Sequence, residues 1–202
     1  MEKIIKFSRV LWKIIDVLLI VCVVTAVAYL IMAVVVAFLP DEMLKYFTAW
    51  CSIFLDLGMV NVKLTEPIVI QEAIRPFFYA FSAYAIVSLA VYGYGFHLLR
   101  NILLTMSKSL PFKDVVSTNL RKLSALVLIG NVVLYFFNNL RYEFQYRMFD
   151  LSNLFSNDLV ASYSMQKHAL NLFVILIAVL LFVLSCVFKY GEELQKLSDE
   201  TL

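Results

Sequence analysis

Four long stretches without a charged residue constrain this chain more than any other feature. An α-helix rises about 1.5 Å per residue, so about 20 apolar residues cross the hydrocarbon core of a bilayer. The pattern therefore predicts an all-α membrane protein, with four transmembrane helices in a single domain covering residues 1–202. The stretches are Val17–Leu39, Pro76–Leu99, Leu123–Leu140 and His168–Phe188, with lengths of 23, 24, 18 and 21 residues.

The composition excludes an ordinary soluble domain. Of the 202 residues, 62% are hydrophobic and 16% are charged, and the mean hydropathy is +0.86. Soluble domains are typically about half apolar and about a quarter charged. The first apolar stretch follows a basic segment, as a signal peptide does, but it is too long for one and lacks a polar cleavage region. We therefore expect it to remain as a span.

The placement of Lys and Arg predicts the orientation. Eleven of the 17 basic residues lie in the N-terminal segment, the connector 100–122 and the tail 189–202, whereas six lie in the loops 40–75 and 141–167. The side richer in Lys and Arg faces the cytoplasm. We therefore expect a multi-pass protein of the inner (cytoplasmic) membrane with both termini in the cytoplasm, and the lipid bilayer as its first partner.

The N-terminal segment Met1–Asp16 is predicted to be an amphipathic helix on the inner surface. Its isoleucines, valine and leucine lie on one side and its basic residues on the other. Such a helix would lie in the interface before turning into the first span. Asp16 follows Lys13 by three residues, so an interfacial ion pair is expected, with a cation-binding carboxylate as the alternative.

The first loop, 40–75, is predicted to form an outer amphipathic helix and a small cap. Apolar residues recur at helical spacing over Asp41–Asp56, with polar residues opposite. Alternation over 60–64, followed by Ile68–Ile70 after a Pro-containing turn, predicts a short strand pair in an extracytoplasmic cap. The second loop, 141–167, is too apolar for a free linker and is expected to pack on the first.

The connector is predicted to start and end as helix. Residues Asn101–Ser109 can extend the second helix until Pro111 stops it. Asp114 or Ser117 can then cap the third helix. His97, just before the connector, is expected to be hydrogen-bonded locally rather than to bind a metal ion.

The polar residues within the spans favour packing over transport. No Asp, Glu, Lys or Arg lies mid-span, and ion-coupled carriers usually keep such groups. Asn131 and Asn171 are the strongest polar residues there, and we expect them to form hydrogen bonds between helices.

No motif predicts an enzyme. The patterns HExxH, GxSxG, Walker A and GxGxxG are absent, and the SxxK spacing of Ser164 and Lys167 lacks its companion motifs. Cys22, Cys51 and Cys186 form no metal-ligand pattern and are interpreted as packing residues. We predict no catalytic residue, no cofactor, no metal site and no direct binding of nucleic acid, and the sequence leaves the oligomeric state open.

Two segments carry a family resemblance. The connector contains Leu99-Arg100, Pro111-Phe112 and Leu120-Arg121, and the tail contains Gly191, Leu194 and a final Asp-Glu-Thr-Leu. These residues, with the four spans, resemble the YoaS-like family of small bacterial four-helix membrane proteins of unknown function. Proteins of that kind often lie beside genes for small helix-turn-helix regulators, so the resemblance implies a regulatory role.

The favoured function is that of a non-enzymatic membrane protein that senses or relays a signal to a cytoplasmic protein, such as a small helix-turn-helix regulator. The basic segment Ser107–Leu123 and the acidic segment Gly191–Leu202 are expected to form one surface. The alternative is a small transport or toxin-immunity protein acting through its outer cap and span cavity. The candidate residues of the partner surface are Arg100, Pro111, Phe112, Arg121, Leu194, Leu197, Asp199 and Glu200.

Overall fold

Four long helices dominate the structure. The computed structural model describes residues 2–40, 43, 54–56, 61–63, 71–108, 114–148 and 171–200. Its helices are α1 (Glu2–Phe38), α2 (Gln71–Ser107), α3 (Asp114–Met148) and α4 (Leu172–Glu200). Each contains a segment long and apolar enough to cross a membrane. By helix length and composition, the prediction of a multi-pass membrane protein with four spans is confirmed.

Helix α1 is uninterrupted, so the predicted turn between Met1–Asp16 and the first span is wrong. The helix continues from Glu2 to Phe38 without a break at Asp16. No Pro or Gly occurs in this stretch, and these residues are the usual causes of a sharp bend. The helix ends two residues before Pro40, whose ring disfavours helical geometry in the preceding residue.

The connector begins as helix, as predicted. Helix α2 continues past its apolar stretch to Ser107, and α3 begins at Asp114. The carboxylate of Asp114 lies in the first turn of α3, where the helix dipole favours negative charge. The alternative cap is wrong, because Ser117 lies inside the helix and its Oγ donates to the carbonyl oxygen of Asp114 at 3.1 Å. Pro111 lies outside the described residues.

Helix α3 extends further than its apolar stretch predicts. It continues to Met148, so residues 141–148 are helical rather than part of a loop. Arg147 donates to Glu143, one helical turn earlier, with an Nη2–Oε1 distance of 3.2 Å. Such pairs stabilise exposed helix ends modestly.

Helix α4 starts later than predicted. Its first residue is Leu172 rather than His168. Asn171 caps it, since its Oδ1 accepts a hydrogen bond from the backbone N–H of Phe173 at 3.0 Å. Asn171 is therefore a helix cap and not a residue in the middle of the fourth helix, which corrects the prediction.

A short strand pair lies in the first loop, but its pairing is not the predicted one. Strand β1 (Phe54–Asp56) runs antiparallel to β2 (Asn61–Lys63). The second strand falls in the predicted alternating segment. The first falls where the outer helix was predicted to end, so that prediction is wrong for these three residues, because pairing with the second strand overrides the local helical pattern. The rest of the predicted helix, apart from Met43, and Ile68–Ile70 lie outside the described residues, and the predicted cap has no support in them.

The chain divides into two compact units. Unit 1 comprises Met1–Val27, Val87–Tyr135 and Ala169–Leu202, and unit 2 comprises Ala28–Ile86 and Phe136–His168. Helix α4 belongs to unit 1, whereas α1, α2 and α3 contribute residues to both units.

The core of unit 1 joins the end of α2, the start of α3 and the middle of α4. Ile102, Val116 and Leu120 form a buried cluster, and Val116 has no exposed surface. Leu181 and Phe188 of α4 pack against it. These contacts fix the antiparallel pairing of α3 with α4 at this end of the unit.

Serine side chains add hydrogen bonds between the helices of unit 1. A hydrogen bond between membrane helices contributes about 0.6 kcal/mol on average to the stability of the folded protein. Such bonds therefore matter more for the register between neighbouring helices than for stability. Three serines each donate through Oγ to a backbone carbonyl of a neighbouring helix: Ser8 to Leu103 at 2.6 Å, Ser124 to Ala178 at 2.8 Å and Ser185 to Ser117 at 3.0 Å.

Unit 2 contains a cap on α1 that comes from α2. Arg75 donates through Nη2 to the carbonyl oxygen of Leu39 at 2.8 Å and through Nη1 to that of Ala37 at 3.2 Å. The last carbonyls of a helix lack intrahelical donors, and Pro40 has no N–H to supply one. Helix α1 has no basic residue in its own last turn. Arg75 therefore supplies both the missing donors and a positive charge at the negative end of the dipole.

Gly130→Ala is expected to destabilise the protein, although alanine is the better helix former by about 1 kcal/mol. A Cβ at position 130 would lie 2.8 Å from Cγ1 of Val91 in unit 1. Valine has one strongly preferred rotamer in a helix and cannot turn away, so overpacking of about 1–3 kcal/mol should prevail. Thermal unfolding in mild detergent should show a lower Tm, and adding Val91→Ala should restore it. An unchanged Tm for Gly130→Ala alone would contradict this close packing.

Candidate functional site

The candidate residues of the partner surface fall into three groups. Pro111 and Phe112 lie outside the described residues, and Asp199 lies in α4 with an undescribed side chain. Arg100 is partly buried in an ion pair. The remaining four are exposed on unit 1: Arg121, Leu194, Leu197 and Glu200.

Arg100 joins α2 to α1. Its Nε donates to Oδ1 of Asp16, and its guanidinium lies 5.8 Å from the centre of the Trp12 ring. The two charged side chains are 34% and 32% exposed. The expected ion pair of Asp16 therefore exists, but its partner is Arg100 on the neighbouring helix and not Lys13. Arg100 positions α1 and has only part of its surface left for another molecule.

The end of α4 exposes leucines and buries a carboxylate. Glu192 is 7% exposed, and its Oε1 lies 2.6 Å from Nζ of Lys196. Leu194 is 49% exposed and Leu197 is 60% exposed. The ion pair makes burial of the charge tolerable. The leucines lie beyond the apolar stretch of the fourth span, so this end of the helix presents apolar surface near charged side chains.

The start of α3 packs against the middle of α4. Ser185 donates to the carbonyl oxygen of Ser117, and Phe188 packs on the cluster that contains Val116. Arg121, one turn further along α3, is exposed. Basic and acidic side chains of the connector and the tail are therefore displayed by one compact unit.

The predicted hydrogen bonds of His97 and Asn131 are confirmed, whereas the side chain of Asn171 caps its own helix and forms no interhelical hydrogen bond among the described residues. The His97 ring nitrogen Nε2 lies 3.2 Å from Nδ2 of Asn101, and the ring stacks on Tyr94 at 6.5 Å between centroids. Asn131 donates from α3 to the carbonyl oxygen of Asn171 at 3.3 Å. Asn131 thus ties α3 to the capping residue of α4. In the described part of the chain, no group of three His, Cys, Asp or Glu residues is placed to hold a metal ion.

Sequence reasoning missed a polar cluster in unit 2. The guanidinium of Arg141 lies 4.9 Å from the ring centre of Tyr84 and 4.5 Å from that of Tyr142. Its Nε is buried without a hydrogen-bond partner among the described residues, as are Oδ1 of Asn138 and Oδ1 of Asn139. Asn138 is 7% exposed. A cation and two amides, within four consecutive residues of α3, therefore lack among the described residues the partners that buried polar groups normally have.

The missed signal was the short run Asn-Asn-Leu-Arg-Tyr at 138–142. The absence of charge up to Leu140 led to the prediction that the span ends there and that Arg141 starts a loop. Helix α3 instead continues past Arg141 to Met148. A charged side chain that is partly buried near the end of a segment able to cross a membrane is a candidate functional position. Contact with two aromatic faces gives up to about 2 kcal/mol for a desolvated cation, which offsets only part of the cost of its burial.

Comparisons with protein-family models, with curated proteins and with solved structures find no match to this chain.

The ion pair between Asp16 and Arg100 should hold α1 against α2. Asp16→Asn or Arg100→Gln alone is expected to lower the Tm in mild detergent, because each leaves a partly buried charge without its partner. The exchanged pair, Asp16→Arg with Arg100→Asp, should recover part of the loss. Arg147→Gln is the control, since it breaks an exposed pair within one helix, and should change the Tm little. Equal effects for Arg100→Gln and Arg147→Gln would contradict the role of the pair.

Proposed function

We propose that this protein is a non-enzymatic protein of the inner (cytoplasmic) membrane that relays a signal to a cytoplasmic protein. Both termini and the connector face the cytoplasm in this proposal. The partner is a soluble protein, such as a small helix-turn-helix regulator. It binds where unit 1 displays the start of α3 and the end of α4.

One observation carries the proposal: leucines are exposed at the end of α4 beside charged side chains. Leu194 and Leu197 are both about half exposed, in a turn that also contains the ion pair of Glu192 with Lys196. Exposed apolar side chains within a charged rim are typical of protein interaction surfaces. Arg121 on α3 belongs to the same unit and offers a guanidinium, which is frequent at such surfaces.

Charge distribution supports the proposed orientation. Eleven Lys and Arg residues lie in the N-terminal segment, the connector and the tail, against six in the two loops. The connector is short, so it falls within the range over which basic residues set topology. The resemblance to the YoaS-like family and the bacterial, regulatory role that it implies remain predictions and agree with this orientation.

A second candidate function has one specific observation in its favour. In the described part of unit 2, Arg141, Asn138 and Asn139 each have a buried polar atom without a hydrogen-bond partner. A small transport or toxin-immunity protein would need such groups near its spans. Purification in mild detergent separates the two functions, because a bound lipid or peptide supports the second and a bound soluble DNA-binding protein supports the first.

The orientation predicts which positions react with an impermeant thiol reagent in intact cells. A cysteine at Gln195, near the end of α4, should be protected, and one at Asn61, in β2, should be labelled. The native residues Cys22, Cys51 and Cys186 are first replaced with serine. Permeabilised cells provide the control, since both positions should then react. Labelling of Gln195→Cys in intact cells would overturn the orientation.

Binding of the cytoplasmic partner should depend on Leu194. Leu194→Glu places a charge on the exposed apolar surface and is expected to reduce co-purification of the partner by about tenfold, equivalent to about 1.4 kcal/mol. Gln195→Glu is the matched control, because it adds the same charge to the next residue, which points in a different direction around the helix.

Both variants should keep the Tm of the original protein, since both residues are exposed. Quantitative mass spectrometry of the co-purified proteins is the measurement. Equal recovery of the same soluble protein with Leu194→Glu and with Gln195→Glu would show that this surface does not bind it.

A further inference from the structure

We propose that the cluster around Arg141 in unit 2 binds the phosphate of a lipid headgroup. This inference goes beyond the proposed relay function and does not depend on it. It assigns a ligand to polar groups that have no partner in the described part of unit 2.

The guanidinium of Arg141 has no counter-ion among the described residues. Its contacts there are the faces of Tyr84 and Tyr142, and its buried Nε has no acceptor. The nearest carboxylate along α3 belongs to Glu143, which is already paired with Arg147. Among the described residues, an anion is therefore the partner that Arg141 lacks.

Three of these residues lie on one side of α3. At about 100° per residue, Arg141, Asn138 and Tyr142 follow one another around the helix within an arc of about 100°, whereas Asn139 lies about 160° from Arg141. Asn138 is near the centre of that arc and is the most buried of the unpaired amides. Tyr84 contacts the guanidinium from α2, so two helices contribute to the cluster. Arg141, Asn138 and the two tyrosines are therefore the residues proposed to bind one headgroup.

The chemistry of the cluster favours a phosphate ester that also carries a hydrogen-bond donor. A guanidinium binds two phosphate oxygens with parallel hydrogen bonds. The amide oxygen of Asn138 is an acceptor, and it requires a donor from the ligand. Phosphoethanolamine supplies an ammonium group and phosphoglycerol supplies hydroxyl groups. Phosphocholine has the phosphate but no donor.

The bilayer is the source of such groups that the fold favours. Arg141 lies in the last part of the α3 segment that is able to cross a membrane. Headgroup phosphates lie where spans end, and basic residues near that level bind them. A soluble phosphate ester has the same chemistry and is the competing source.

Native mass spectrometry of the full chain, freed of lipid in mild detergent, tests the proposal. Phosphatidylethanolamine, phosphatidylglycerol, phosphatidylcholine and glycerol phosphate are added separately at equal concentration. The first two lipids should remain bound, with at least about tenfold less phosphatidylcholine. Retention of glycerol phosphate without any lipid would uphold the phosphate site and overturn the lipid as its source.

Two variants and a control decide which residues bind. Arg141→Gln should lower the bound fraction of phosphatidylethanolamine by about tenfold or more, because the phosphate loses its cation. Arg147→Gln removes the same charge from an already paired residue and should leave binding unchanged. Equal binding of phosphatidylethanolamine by Arg141→Gln and by Arg147→Gln would overturn the proposal.

Asn138→Leu tests the amide separately, and it remains a test of the site if Arg141→Gln fails to fold. It should abolish the preference for phosphatidylethanolamine over phosphatidylcholine while Arg141 still holds the phosphate. If Asn138→Leu still prefers phosphatidylethanolamine, Asn138 has no role in binding. If the original protein binds neither the lipids nor glycerol phosphate, the site does not exist.

Discussion

The hydrogen-bonding needs of the peptide backbone in a bilayer govern this protein. Inside hydrocarbon, every N–H and C=O group must find a partner within the protein, so the spans are continuous helices. Helices α1, α2 and α3 contain 37, 37 and 35 residues, longer than a bilayer requires. Each therefore continues as helix beyond its apolar stretch, and the Arg141 cluster lies in such an extension of α3. Helix ends pose the same requirement, which Arg75 meets at α1 and Asn171 at α4.

Association of the helices rests on other forces, because lipid chains are as apolar as leucine and give little hydrophobic drive within the bilayer. In unit 1 the helices are joined by serine-to-carbonyl hydrogen bonds, by the ion pair of Asp16 with Arg100 and by close approach at Gly130. Each contribution is small, but each depends on register. The large apolar side chains of α1 remain exposed, with Ile20 64% exposed, as expected for residues that meet lipid.

Polar residues thus serve two purposes in this fold. Ser124, Ser185 and Asn131 find partners on a neighbouring helix and support packing. In the part of unit 2 that the structure describes, Arg141 and Asn138 leave polar atoms without a partner. The distinction between a satisfied and an unsatisfied polar group separates a structural contact from a candidate binding site, and residue type alone does not reveal it.

The sequence by itself determined the four helices, the helical start of the connector and the local role of His97, because apolar length and short-range hydrogen bonds are properties of adjacent residues. Tertiary structure decided the rest. Asp16 forms its ion pair with Arg100, 84 positions away, and not with Lys13. Phe54–Asp56 forms a strand because it pairs with Asn61–Lys63. Arg141 became part of a cluster because Tyr84 of another helix faces it. Such contacts join residues that are distant in the chain. The hydrophobic periodicity of the sequence shows which face of a helix is apolar, but it does not show which helices pack against each other.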